Sequence, residues 1–343
     1  MRKSWIAFAA AAACTLGAQA QSSVQLSGLA DVYAGSIRMA GDASRHNGLG
    51  DSGLTTSWVG LKGSEDLGSG LKLNFAFTSF FKLSNGSQGR FPGDTFWSRD
   101  ANIGLSGNFG SVTLGRWLAP NFLPSILGNP LGDSFTFAPL ILHMDVPLFN
   151  GSGWGSTVES DTGWSNQIAY TTPNLGGFTG TVHYQLGNSN AADKGKRNVG
   201  ASFLYFQGPL TVTGFYERDQ IANPVPAALG YTKTNWLLTG AYDFKVVKPY
   251  IGYGQAKVTA LGGNAKTIHL GASAPLGGTD SLIASWARTR NTIGGASATR
   301  KTLTVGYDYF MSKRTDLYVM YMNDRITAQT SGNSFGVGIR LRF

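Results

Sequence analysis

Ser111-Val112-Thr113-Leu114-Gly115-Arg116 and Asn166-Gln167-Ile168-Ala169-Tyr170-Thr171 are short strand-like runs, and Trp117–Ser165 stands between them. Neither a two-residue nor a 3.6-residue period runs through these almost fifty residues. They carry five prolines (Pro120, Pro124, Pro130, Pro139, Pro147) and many glycines. A connection of that length is usually functional or disordered. Its content of Leu, Ile, Phe and Trp argues against disorder. It contains no Lys or Arg, the nearest being Arg116 and Lys194, but it holds Asp133, Asp145, Glu159 and Asp161. An apolar, acidic, base-free segment needs shelter, and the surrounding chain supplies it.

That surrounding chain alternates. Val24, Leu26, Ala30 and Val32 stand against Gln25, Ser27 and Asp31. Leu71, Leu73, Phe75 and Phe77 stand against Lys72, Asn74 and Thr78. The last run sets Phe335, Val337, Ile339, Leu341 and Phe343 against Ser334, Gly336, Arg340 and Arg342. Period-2 contrast of this kind marks strands with one apolar face. Sixteen such runs can be counted between 23–38 and 333–343. The connections alternate in length. Long ones are expected at 39–54, 83–94, 117–165, 187–196, 218–232, 257–266, 291–300 and 325–332, with turns such as Asn108-Phe109-Gly110 and Ser312-Lys313-Arg314 between them. An even strand number with short turns at one end and long loops at the other describes a transmembrane β-barrel. At this strand number the barrel holds an aqueous channel. Soluble sandwich strands also alternate, but Greek-key connections would scramble the long/short order.

The termini and composition agree. Arg2 and Lys3, the apolar Trp5–Leu16 and Ala18-Gln19-Ala20 read as an export signal over 1–20. The rival, a lipid-modified Cys14, lacks the expected leucine in Ala11-Ala12-Ala13-Cys14. Residues 21–343 then form one barrel domain without cysteine. Against 19 acids stand 28 Lys and Arg, a net charge of +9, or +7 without Arg2 and Lys3. In an exported chain that charge points to a channel or a lipid headgroup surface, and no nucleic-acid partner is expected. No stretch after the signal is long and apolar enough for a spanning helix.

Jointly specific motifs now appear. They are Ser23-Val24-Gln25-Leu26-Ser27-Gly28-Leu29-Ala30-Asp31, Val59-Gly60-Leu61-Lys62-Gly63-Ser64-Glu65-Asp66-Leu67-Gly68-Ser69-Gly70-Leu71-Lys72, Ile103 through Arg116, Ser312-Lys313-Arg314-Thr315, and Gly338-Ile339-Arg340-Leu341-Arg342-Phe343. Through them the whole mature chain resembles the trimeric general porins of Gram-negative outer membranes, of the neisserial and burkholderial type. The resemblance implies an all-β, 16-stranded antiparallel barrel with 117–165 as an inward-folded third loop. It implies a homotrimer in contact with outer-membrane lipid and lipopolysaccharide. Ions and small hydrophilic solutes would diffuse through passively, with no cofactor, no metal and no enzymatic turnover. The alternative is a channel selective for small aromatic or apolar organic acids.

The resemblance further implies a constriction in which loop carboxylates (Asp133, Asp145, Glu159, Asp161) face a wall of arginines. Arg99 and Arg116 match basic positions of the family, although strict parity turns both outward unless a bulge or a strand end intervenes. Where the family has further arginines, this chain has Ser57-Trp58-Val59 and Gly163-Trp164-Ser165, and Thr78 replaces a frequent glutamate. Trp58 and Trp164 are therefore expected at the constriction. The four histidines (His46, His143, His183, His269) show no ligand spacing, and the glycine pairs lack the lysine or helix of a phosphate loop.

Phe343 resembles the terminal aromatic read by barrel-assembly machinery. Deleting it is expected to lower the amount of protein inserted in the membrane while export continues. Quantitative blotting of membrane fractions checks this, and wild-type insertion would remove that role.

Overall fold

The computed structural model describes residues 23–90, 94–144, 162–187, 197–221, 231–278 and 280–343. Among the described residues seventeen strands follow one another. The first six are β1 (Ser23–Ile37), β2 (His46–Asp51), β3 (Trp58–Gly68), β4 (Leu71–Phe80), β5 (Asp100–Gly107) and β6 (Gly110–Leu118). Next come β7 (Gly163–Thr171), β8 (Phe178–Gln185), β9 (Val199–Gln207), β10 (Leu210–Ile221), β11 (Tyr231–Tyr242) and β12 (Lys248–Val258). The last are β13 (Gly263–Pro275), β14 (Ser281–Ile293), β15 (Ala296–Phe310), β16 (Thr315–Ile326) and β17 (Gly332–Arg342).

From β3 onward each strand pairs antiparallel with the next, and β1 pairs with β17 from Leu29↔Arg342 to Ser36↔Phe335, closing the barrel. The wall nevertheless has sixteen positions. β2 pairs with Val32–Ile37 and β3 with Ser23–Leu29 of the same β1, so the two are halves of one broken wall strand.

Parity decides which face is which. In β17, Val337 is 49% exposed and Ser334 only 1%. The apolar set points out and the polar set in, inverse to a soluble protein and correct for a lipid-facing wall.

Several boundaries depart from the expectations. The loop expected over 39–54 contains β2. Those expected over 257–266 and 291–300 shrink to a 3-10 turn at Thr259–Leu261 and a Gly294-Gly295 turn, the latter with φ of 55° and 88°. Pairing continues there, but outward Lys257, Lys266 and Arg290 end the apolar/polar contrast that marks a strand in sequence.

Residues 119–144 fill the interior. Two short helices break the irregular reading, α1 (Phe122–Leu127) and α2 (Pro139–Met144). Pro139 opens α2 at a position where a missing N–H is harmless. Phe137, Leu140 and Ile141 are fully buried. They pack on inward residues of the wall, Tyr318, Met320 and Met322 in one cluster and Phe215 and Leu237 in another. The hydrophobic core thus lies inside the barrel, between loop and wall.

The break at 52–57 is held by one side chain. Asp31 accepts N–H bonds from Gly53 (3.2 Å), Leu54 (2.9 Å) and Thr55 (2.8 Å) and the Tyr318 hydroxyl (2.6 Å). The Ser57 hydroxyl closes onto the Asp31 backbone. Asp31→Ala strands four buried donors, each costing roughly 1–3 kcal/mol if left unmet. It should therefore lower barrel stability by about 4 kcal/mol or more, read as an earlier urea midpoint of refolded protein. An unchanged midpoint would show that water replaces the carboxylate.

Candidate functional site

The inward segment is bolted to the wall by polar contacts as well as by its core. Thr213 donates to the Pro124 carbonyl (2.9 Å) and Thr304 to that of Phe137 (2.7 Å). Ser134 donates to the Gly53 carbonyl within the strand break. His143 sits between Thr289 (2.7 Å) and Thr302 (2.8 Å), and burial beside Arg300 pushes its pKa down, keeping it neutral.

Opposite the loop tip stands a cluster of cations and aromatics. The Arg99 guanidinium lies 4.2 Å from the Trp58 ring centroid, and the Lys62 ammonium 5.3 Å from the same ring. Trp58 shares parity with Lys62 on β3, so the alternation turns both inward. Arg99 precedes the first residue of β5, the strand end that frees it from strict parity, and pairs with Asp100 at 2.7 Å. Asp100 in turn accepts the Thr78 hydroxyl at 2.6 Å.

Arg116 sits where the β6–β7 register shifts, between Gly115 and Trp117. Its fork bonds the Ser98 carbonyl (2.7 Å), the Gly163 carbonyl (3.0 Å) and the Ser165 hydroxyl (2.9 Å). Spent in this way and 9% exposed, it ties the loop's two ends together. Trp164, 1% exposed, meets His183 edge-on at 6.2 Å, and Trp117 stacks on the same imidazole at 5.7 Å. Trp164 is thus packed into the wall beside the loop exit. Asp145, Glu159 and Asp161 lie outside the described residues, as does the 1–20 segment. Phe343 pairs its backbone with Gly28 (2.9 and 3.0 Å). Its ring covers Gly28, where a Cβ would clash with the ring at 2.5 Å.

Asp133 is half-buried at the loop tip. It accepts the Thr55 hydroxyl, and Thr55 accepts Arg340 Nη1 at 2.8 Å, so one hydroxyl joins a wall arginine to a loop carboxylate. Arg340 is not among the site residues expected from sequence, although its parity places it on the lumen face. Its guanidinium also pairs with Asp316 (3.0 Å) and Asp308 (3.4 Å), while Arg342 reaches Asp316 at 3.1 Å. The sequence carries a second signal for this part of the wall. Leu317-Tyr318-Val319-Met320-Tyr321-Met322 is apolar on both faces, as in strands covered on both sides. Among the described residues no His, Cys, Asp and Glu group is arranged to hold a metal ion.

A polar-lined, apolar-jacketed barrel with a loop braced across its interior is the architecture of an aqueous pore. The Gram-negative porin family matches residues 7–329. The chain belongs to that family. It is 33% identical over 328 residues to outer membrane porin protein 32 of Delftia acidovorans, covering 93% of this chain and 88% of the relative. An outer membrane porin protein of Bordetella pertussis is 28% identical over the full length of both. Among solved structures, an anion-selective porin from Comamonas acidovorans superposes with a TM-score of 0.77 at 27% identity, covering 94% of this chain and 100% of that one. The protein is thus an outer-membrane porin, a water-filled channel for passive diffusion of ions and small hydrophilic solutes.

One carboxylate of the described part of the loop titrates in an accessible range. Burial pushes Asp133 up to about 6, against the Thr55 hydrogen bond and the charges of Arg340 and Arg99, which pull it down. The carboxylate is therefore charged at pH 7.5 and neutral at pH 5. Acidification over that window should move the zero-current potential in a KCl gradient toward the chloride value. Asp133→Asn should remove most of the shift. A variant that shifts as much as wild type would assign the titration to another group.

Proposed function

We propose that the constriction lies between Asp133 at the tip of the 117–165 loop and the wall cluster of Trp58, Arg99 and Arg340. The bridge from Arg340 through Thr55 to Asp133 carries this reading. Passage is governed by size and by the charges around that gap, with no chemical turnover and no cofactor. Arg116 and Trp164 act on the constriction indirectly, by fixing the loop's ends. Asp145, Glu159 and Asp161 add acid from the loop's second half. Residues 1–20 serve export, Phe343 serves barrel assembly, and the working unit is a homotrimer in lipopolysaccharide-containing membrane. One structure of the same fold, OmpT of Vibrio cholerae, is described as a trimer form.

The selectivity follows from pairing. Arg99 faces Asp100, and Arg340 and Arg342 face Asp308 and Asp316. Each of these three arginines thus has a neighbouring anion, and Asp133 adds one more. Anion preference should be weak beside that of family members with a full arginine cluster.

A second reading, selectivity for small aromatic or apolar acids, has its own support. A cavity of about 290 Å³ opens against the loop tip, lined by Tyr33, Phe81 and Phe135 with Lys82 at its edge. Trp58→Arg separates the readings in planar bilayers under asymmetric salt. Added charge should move the zero-current potential toward chloride, and loss of the indole face should weaken block by phenylacetate. An unchanged potential at low salt would remove Trp58 from the constriction. Unchanged block would leave the aromatic-acid reading to the Tyr33–Phe135 cavity.

A further inference from the structure

The outer face of β12–β16 carries a band of six cations at the end away from Phe343. They are Lys257, Lys266, Arg288, Arg290, Lys301 and Arg325, all exposed and all of outward parity. The register sets several directly opposite one another: Lys266↔Arg290, Arg288↔Lys301 and Lys301↔Arg325. Like charges in directly opposed cross-strand positions destabilise a sheet. None of the six makes an ion pair among the described residues. The acids on these strands give no relief. Asp308, Asp316 and Asp324 point inward and are buried, and Asp280 lies beyond the opposite end of β14.

Below the band the same strands present an apolar groove of about 520 Å³. Ala272, Ala274 and Ala284 form its small floor, and Leu282, Val305 and Val319 stand beside them. Arg288 lies about 13 Å up the strand from Ala284, at the rise of an extended chain. Trp286 stands between them with outward parity, the position of an aromatic at a membrane interface. Long loops mark the outer side of such barrels and short turns the inner side, so the band meets the outer leaflet.

We propose that this face is a binding site for a phosphorylated glycolipid of the outer leaflet. Its phosphates pair with the band and its acyl chains lie in the groove. The proposal rests on the outer-membrane reading and deepens its lipid partner. Guanidinium forks suit phosphate oxygens, charge-assisted and bidentate. A bound phosphate between Arg288 and Lys301 turns cross-strand repulsion into a shared bridge. The pairing of headgroup charge with a groove below it favours a lipid over a soluble anion.

The test uses purified full-length protein, stripped of lipid in detergent and titrated with bisphosphorylated lipid A under native mass spectrometry. Wild type should bind it about tenfold more tightly than the Arg288→Gln/Arg290→Gln/Lys301→Gln variant. Wild type should also prefer it about tenfold over dephosphorylated lipid A. Ala284→Trp should weaken lipid A binding without altering the charge. Equal affinity with and without phosphates overturns the proposal on wild type alone, whether or not a variant folds. So does full displacement by inorganic phosphate at matched concentration. A variant that changes oligomer mass while binding lipid A unchanged would assign the band to a second copy and also overturns it. Conductance of the same preparation keeps the two readings apart. A conducting protein indifferent to the phosphates remains a porin without this site, and a non-conducting one that still discriminates them keeps the site and loses the channel.

Discussion

A backbone amide or carbonyl in hydrocarbon has no water to bond, so every one must find its partner within the wall. All else in this fold follows from that. An open sheet would leave two raw edges, and the β1–β17 ladder removes both. The pleat of each strand puts alternate residues on opposite sides of the wall, and lipid takes one side. Polar residues are left to line the interior. Fractional exposure in the isolated chain therefore runs backwards from hydrophobicity, as β17 shows.

An interior of this width would be an open tube unless something filled it. The filling is the chain's own segment 119–144, and it needs apolar wall to dock on. Where α2 and Phe137 rest, the wall breaks its polar rule with Ile283, Met320 and Met322. Where the tip turns, the wall strand itself breaks between β2 and β3, and Asp31 absorbs the freed N–H groups. The break also delivers Gly53 to Ser134 and Thr55 to Asp133. One inward carboxylate thus couples wall continuity to the placing of the loop tip.

This hierarchy explains what is legible in sequence. The lipid-facing period of two is imposed by solvent on every strand, so strand number and closure can be counted from residues such as Phe335, Val337 and Ile339. Above the lipid that constraint vanishes, which is why the ends of β12–β15 around Lys257, Lys266 and Arg290 read as loops although their ladders continue. Arg116 defies parity because of a register shift, which leaves no mark on composition. Arg340 obeys parity, but it lies far in sequence from the acidic loop, and only the closed barrel brings it to Thr55. The helices of the loop escape notice since α1 and α2 have six residues each, too short to display a helical period.

Net charge is the least local of the sequence quantities, and here it misplaces its own meaning. Around the constriction the bore sets Lys62, Arg99, Arg340 and Arg342 against Asp100, Asp308, Asp316 and Asp133. On the outer surface six cations stand in one band without acidic partners. That band is nearly as large as the +7 of the chain without Arg2 and Lys3. It is separated from the pore axis by the barrel wall and faces solvent and headgroups, where salt screens it within about 8–10 Å. A permeating ion therefore meets a lining close to balanced, whatever the sign of the whole chain. The excess charge belongs to the interface between protein and membrane, while selectivity belongs to the few side chains around Thr55.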